Sequence, residues 1–572
     1  MSPTQRSAKM GRFETGSTVA WAKFLLVTCT FLTGACGLVL EYIQATIASF
    51  ILGNSIEQWS VVIGLMLFMM GIGSKAQRFV IGDKHLVNAF IGIEITLAVV
   101  GAWAPLGTYA AYAYITSHFM LVQYGFIMLI GFLIGLEIPV VTRINKEYTD
   151  ELKINLDYIL SADYFGSLAG ALLFAFVLLR YFPLTESSFI ASTLNFIPAM
   201  LAFAFFYKHG KVSAPVRLLL VSFLVFISLL VGFKYNHAWN FKLEQHLYDD
   251  RIIYSNTTRY QHLVVTHNPT LNEHRFYING HIQFSSTDEA RYHESLVHPA
   301  MNVATSRKNI LILGGGDGMT LREVLKYNDV QSVDLIDLDP EMVKLCANNP
   351  VLRRLNHGAF DDARVKVADS KGIETGDWYY LFQETGKEDE HKQPDAEKVA
   401  TLNVINIDAE KFVSNAKGRY NIILIDLPDP STIELNKLYT KGFYSRVKRL
   451  LTDGGVIAIQ STSPFFARES YWCISRTVRA AGLDVVNYHV NIESFGDWGF
   501  VLATKSLKKG YVDKLILEMD LNNIDTKFLT ADVFRASMVF GKDMMKIKKK
   551  EINTLMRPVL HMYYLKEDWQ YE

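Results

Sequence analysis

Asp426-Leu-Pro-Asp-Pro430 ends the apolar run Tyr420 to Ile425 with two carboxylates three residues apart, on a loop stiffened by two prolines. Carboxylates so spaced can hold a cationic amine and take up its proton, which is general-base chemistry; the same spacing also suits a tight polar turn. A third acid, Asp317, lies in Gly314-Gly-Gly-Asp-Gly318, directly after the apolar run Asn309 to Leu313. An apolar strand that breaks into glycines and then a helix, here from Met319, makes a nucleotide-binding crevice, because glycines let the main chain approach a ligand closely. A carboxylate at the mouth of that crevice repels a pyrophosphate and attracts the sulfonium of an S-adenosyl compound. Three acids about one crevice suit a polycation.

The elements that must position these acids follow from the surrounding pattern. Val333-Asp-Leu-Ile-Asp-Leu-Asp339 is a second apolar strand whose terminal acids fall roughly 20 residues beyond the glycines, where a strand-end carboxylate reaches both ribose hydroxyls. Asp337 takes that role, and Asp339, followed by Pro340 and Glu341, reads as the cap of the next helix. Strands are expected again at Thr401 to Ile407, Tyr420 to Ile425 and Gly455 to Gln460. This alternation predicts a doubly wound, Rossmann-like α/β domain with ligands at the strand carboxyl ends. Asp408-Ala409, closing one of these strands, can accept a hydrogen bond from an adenine amino group. Upstream, residues 252–285 alternate as strands with a hairpin turn at Asn279-Gly280, and a helix starts at Asp288.

The amino-terminal part is of another kind. Seven apolar runs, Trp21–Glu41, Trp59–Gly73, Val87–Leu106, Phe119–Val141, Ile159–Tyr181, Ser187–Phe206 and Val216–Phe233, approach the roughly 20 residues that cross a bilayer. The chain is therefore expected to divide into a multi-span α-helical membrane domain at 1–234, a small β-region at 235–290 and a nucleoside-binding domain at 291–572, in a multi-pass protein of the cell membrane. Lys and Arg crowd alternate connections, beginning before the first span, which predicts a cytoplasmic amino terminus. Seven crossings then leave the nucleoside domain outside the cytoplasm, in conflict with a cytosolic nucleoside. Either an extra crossing or re-entrant segment at Gly107 to Thr116 removes that conflict, or the enzyme works on the far side of the membrane. Glu41, Glu94, Glu137 and Asp163 lie within the spans, where ionisable groups mark either a substrate pathway or polar packing. The small residues Gly166 to Ala171 predict close helix packing. Cys29, Cys36, Cys346 and Cys473 have neither metal nor disulfide spacing, and a formal net charge of zero gives no support for nucleic-acid binding.

Taken as an ordered set, Tyr260-Gln261, Gly280-His-Ile-Gln283, Asp288-Glu289 with Tyr292-His-Glu294, Gly314-Gly-Gly-Asp-Gly318, Asp337-Leu-Asp339, Asp408-Ala409 and Asp426-Leu-Pro-Asp-Pro430 resemble the polyamine aminopropyltransferases, the spermidine synthases. The resemblance runs over residues 252–505, and the amino-terminal half looks like the multi-span extension of the membrane-bound bacterial members. It implies transfer of an aminopropyl group from decarboxylated S-adenosylmethionine, a co-substrate, to putrescine, with no metal or cofactor. It further implies that Gln261, Gln283, His293, Gly314, Gly316, Asp337, Asp408 and Ala409 hold the nucleoside. Asp317 would meet the aminopropyl amine, Tyr292 and Asp429 would position the diamine, and Asp426 would deprotonate the attacking nitrogen.

Three departures from the family pattern stand out. The ribose acid is usually glutamate, residues 370–400 look like an insertion that makes Asp408 a better adenine partner than Asp369, and Glu493 to Phe500 replaces a proline-rich substrate-contacting turn. The expected partners are polyamine and nucleoside substrates and a lipid bilayer, with a homo-oligomer left open. Two other readings share parts of this pattern: an S-adenosylmethionine-dependent methyltransferase, and a polyamine transporter or sensor.

Overall fold

The computed structural model describes residues 16–52, 55–82, 85–148, 152–362, 365–367, 400–505 and 516–567. Asp369 and nearly all of the polar insertion lie outside them. The chain forms two compact units, Met1–Asp249 and Asp250–Glu572.

Among the described residues the first unit has seven helices of 25–35 residues long and apolar enough to cross a bilayer, with mean hydropathies of 1.6–2.6. Large apolar side chains point outward: Leu220, Phe223 and Leu224 are each about 60% exposed, a surface that suits lipid and not water. Helix Leu86–Tyr114 runs unbroken through Pro105 and Gly107, and the next helix begins at Phe119. Gly107 to Tyr114 is therefore part of the third helix and adds no crossing, a correction to the extra segment expected there. A hydropathy dip is not a helix break when the backbone hydrogen bonds continue. Similarly the seventh helix, Pro215–Gln245, continues past residue 234 because its polar end, Lys242-Leu-Glu-Gln245, consists of good helix formers. The expected close packing at Gly166 is observed: a Cβ built on Gly166 or Gly170 would lie 2.0 or 2.2 Å from the backbone carbonyls of Phe31 or Ala35. Glu94 is bound by Asn195 Nδ2 at 3.0 Å, and Glu137 accepts from Thr33. All four cysteines are buried and unpaired with one another.

The second unit opens with a four-stranded antiparallel meander, β1 Arg251–Thr257, β2 His262–Asn268, β3 Glu273–Ile278 and β4 His281–Ser285. Asn279 and Gly280 make its last turn with φ of 51° and 80°, the conformation a two-residue hairpin needs. Next comes an eight-stranded sheet in the order β11-β12-β10-β9-β5-β6-β8-β7. The strands from β7 to β10 are parallel: β5 Asn309–Gly314, β6 Ser332–Asp337, β7 Val365–Val367, β8 Ala400–Asn406, β9 Tyr420–Asp426 and β10 Leu451–Gln460. β12 Gly496–Lys505 joins β10 antiparallel and β11 Leu483–Ile492 closes that edge. Both faces are covered, as parallel sheets require: Ile310, Ile312, Ile422 and Leu424 enter one core, and Leu311, Leu313, Ile423 and Ile425 the other. Chain order reverses at β5, with β6 on one side and β9 on the other, and that reversal opens a crevice at the carboxyl ends.

Candidate active site

Gly314 on β5 pairs in register with Asp426 on β9, so the glycine-rich turn and the proposed base share one level of the sheet. A side chain at Gly314 is excluded twice over: its φ is 86°, and a Cβ would lie 1.9 Å from the Asp426 carbonyl. Gly318 then starts helix Met319–Val324 with φ 80°. This turn aims the backbone N–H of Gly316 at Asp337 Oδ2, 3.0 Å away, while Asp339 N–H donates to Asp337 Oδ1 at 2.9 Å. Burial pushes the Asp337 carboxyl up to about 6 against those two donors. Asp339 caps helix Pro340–Asn348 by accepting from Glu341 N–H at 3.1 Å, the cap expected there from the sequence.

Asp426 is held by two hydroxyls: Tyr292 Oη donates to Oδ1 at 2.6 Å and Thr320 Oγ1 to Oδ2 at 2.7 Å. Tyr292 comes from helix Glu289–Val303, and its ring packs on Phe500 and Phe495, with centroids 5.4 and 6.1 Å away. Burial and the Asp426 charge drive the Tyr292 phenol far up, so it stays a donor. Asp317 Oδ1 accepts the Met319 N–H at 2.8 Å, and its other oxygen faces His293 Nε2 at 4.0 Å. Burial, with Asp426 adding, raises Asp317 to about 6 while His293 opposes. Burial works against a charge on His293, but Glu289 and Asp317 outweigh it and lift the imidazole to about 9. Asp429 is raised to about 6 by burial, opposed by hydrogen bonds from Gln460 and Tyr564; Gln460 Nε2 donates to Oδ1 at 3.2 Å and Tyr564 Oη to Oδ2 at 3.2 Å.

The remaining predicted residues are placed as follows. Gln261 lies against Met342 Sδ at 3.3 Å, on the helix after Asp337, and its loop is tied there by Thr258 Oγ1 donating to Asp339 at 2.6 Å. Gln283 is partly exposed and donates back to the His281 carbonyl at 3.1 Å. Asp408 has both oxygens engaged, Oδ1 by Lys411 N–H at 3.1 Å as a helix cap and Oδ2 by Lys437 Nζ at 2.6 Å. Burial opposes its charge, yet Lys437 holds the carboxyl below its ordinary value. Ala409 is buried at the first position of that helix, Ala409–Asn415. The site thus gathers Tyr292, His293, Gly314, Gly316, Asp317, Asp337, Asp426 and Asp429, with Gln261 at its edge.

Comparison with known proteins gives the geometry its family. Residues 289–377 and 392–513 match the spermine/spermidine synthase domain. A polyamine aminopropyltransferase of Leptospira interrogans is 35% identical over 545 residues, 95% of this chain and 98% of the relative. The chain belongs to the polyamine aminopropyltransferase family. It is a transferase, and its family likeness extends into the apolar amino-terminal half. The polyamine aminopropyltransferase of Oceanobacillus iheyensis is 36% identical over 93% of this chain and 95% of its own length. A solved spermidine synthase from Thermotoga maritima covers 51% of this aminopropyltransferase and 87% of its own chain, at 23% identity and a TM-score of 0.40.

Sequence reasoning passed over several groups that build the site of this aminopropyltransferase. Arg322 grips Glu289 through both terminal guanidinium nitrogens at 3.0 and 2.7 Å and Glu323 through Nε at 2.8 Å, and Glu323 in turn meets His298 at 2.9 Å. Although burial opposes it, His293 and Arg322 hold Glu289 down to about 2, and Glu289 orients His293 through Nδ1 at 3.1 Å. Gln460 was legible, since it ends an expected strand; it also binds Tyr439 Oη at 2.8 Å, which donates to the Pro428 carbonyl at 2.8 Å. Arg322, Thr320 and Tyr564 carry no such positional signal.

Proposed function

We propose that this aminopropyltransferase is held in the membrane by its seven apolar helices and transfers the aminopropyl group of decarboxylated S-adenosylmethionine to putrescine, giving spermidine and methylthioadenosine. The observation that supports this reading best is Asp426 on the strand beside the glycine-rich turn, between Asp317 at the crevice mouth and Asp429 in the adjoining loop. Asp337 takes the ribose hydroxyls and Asp317 the primary amine of the aminopropyl arm. Asp429 and Tyr292 orient the diamine. Asp426 removes a proton from the attacking ammonium, which otherwise has no lone pair. The nitrogen then forms a bond to the carbon beside the sulfonium, the carbon–sulfur bond breaks, and its electron pair neutralises the sulfur. Asp408, held by Lys437 and the Lys411 N–H, keeps a lone pair on each oxygen for the adenine amino group. With the family established, the methyltransferase reading lapses.

The test is incubation of detergent-purified protein with decarboxylated S-adenosylmethionine and a panel of amines, with products identified by mass spectrometry. Methylthioadenosine with spermidine is expected. Product from another amine alone would replace putrescine, and binding without turnover would favour a sensor or transporter.

A further inference from the structure

The acceptor end of the site has a wall that the sheet does not build. The match to the family domain ends at residue 513, yet the hydroxyl on Asp429 Oδ2 is that of Tyr564, 3.2 Å away, at the end of the short helix Val559–Tyr564. Two anchors fix this segment. Before it, the fully buried Asn553 donates through Nδ2 to the Tyr439 carbonyl at 3.0 Å and through its N–H to Thr477 Oγ1 at 3.0 Å, while its carbonyl accepts the Lys441 N–H at 2.9 Å. After it, Glu567 accepts the N–H groups of Glu469 and Ser470 at 2.5 and 3.1 Å and the Ser470 hydroxyl at 2.6 Å. That carboxylate fills the amino end of helix Arg468–Ala480, where unpaired N–H groups favour an anion. Between the anchors Val559 and Leu560 are buried in the core beneath β9 and β10, and His561 Nδ1 lies 3.4 Å from the Pro430 carbonyl.

We propose that residues 551–567 form the far wall of the acceptor site and that Tyr564 is a positioning residue for the acceptor amine, acting through Asp429. The inference rests on the aminopropyltransferase reading in which Asp429 receives the diamine. Gln460 on one oxygen and Tyr564 on the other fix the plane of the Asp429 carboxylate and leave a lone pair on each for an ammonium. Without the Tyr564 hydroxyl the carboxylate turns more freely about its last bond, and the ammonium loses a fixed partner. The nucleoside, held at Asp337 and Asp317, is untouched. Acceptor recognition then depends on a segment beyond the matched family domain.

The test is Tyr564→Phe in the full-length protein, with steady-state kinetics on both substrates. The KM for putrescine is expected to rise about five- to tenfold, with kcat and the KM for the nucleoside within about twofold of wild type. Leu271→Ala, at an exposed turn of the antiparallel meander and outside the acceptor wall, leaves all three unchanged. An unchanged putrescine KM in Tyr564→Phe, or equal rises for both substrates, overturns the proposal. A wild type that turns over no amine would sink the functional reading instead. The pair is then compared by calorimetric putrescine binding to the methylthioadenosine complex, where equal affinities overturn the inference.

Discussion

Asp426 accepts one hydroxyl on each oxygen and keeps a lone pair on each for an amine. An amide at this position accepts one of the two hydroxyls through its carbonyl and donates to the other through its NH2, but it cannot take a proton, so Asp426→Asn is expected to lower kcat about a thousandfold. Methylthioadenosine affinity by calorimetry should stay within about twofold. Asp317 gives a sharper contrast because only the substrate nucleoside carries an amine. Asp317→Asn should weaken decarboxylated S-adenosylmethionine tenfold or more, roughly one charged hydrogen bond, and leave methylthioadenosine nearly unchanged; equal losses would remove Asp317 from that role. Its pKa of about 6 is raised above the ordinary 3.8 by burial. The folded protein therefore binds that proton more tightly than the unfolded chain, so this group's contribution to stability is present at low pH and lost as pH rises from about 4 through 6. Asp317→Asn should accordingly unfold a few degrees higher than wild type at pH 8 in a thermal scan. Wild-type kcat/KM should fall as pH drops through about 6, where Asp317 and Asp429 lose their charge.

At the scale of elements, the site is the meeting of strand ends with helix starts. Asp337 at the end of β6 is within hydrogen-bond reach of the Gly316 N–H because a glycine stands there: a Cβ on Gly316 would lie 2.5 Å from Asp337 Oδ2. On the proposed ribose role of Asp337, Gly316→Ala is expected to push that carboxylate aside and weaken substrate and product nucleosides alike, since both carry ribose. A loss confined to one of them in calorimetry would contradict that role. The strands, the glycine turn and the helix cap at Asp339 were legible because each depends on neighbouring residues and local backbone geometry. The buried chain Glu289–Arg322–Glu323–His298 was not, because a charge is tolerated in a core only when distant segments bring it a partner. The ion pair between Asp408 and Lys437 was likewise not legible, because it joins two different elements.

For the whole molecule, seven apolar helices in one unit predict that the protein stays with the membrane fraction through a carbonate wash and is released by detergent. Release by carbonate would refute integral insertion. With Gly107 to Tyr114 absorbed into the third helix, a crossing by each of the seven helices is expected to put residues before the first and after the seventh on opposite faces, which reporter fusions on either side would check. The sequence alone determined the two-part composition, the parallel α/β alternation and the acids at the strand ends, since hydropathy, period and glycine placement act over a few residues. Only the tertiary structure decided which of those acids share a crevice, that a buried arginine network sets His293, and that Tyr564 reaches Asp429. Those contacts join segments far apart in the chain, and they form because the core packs in one way, which no local pattern records.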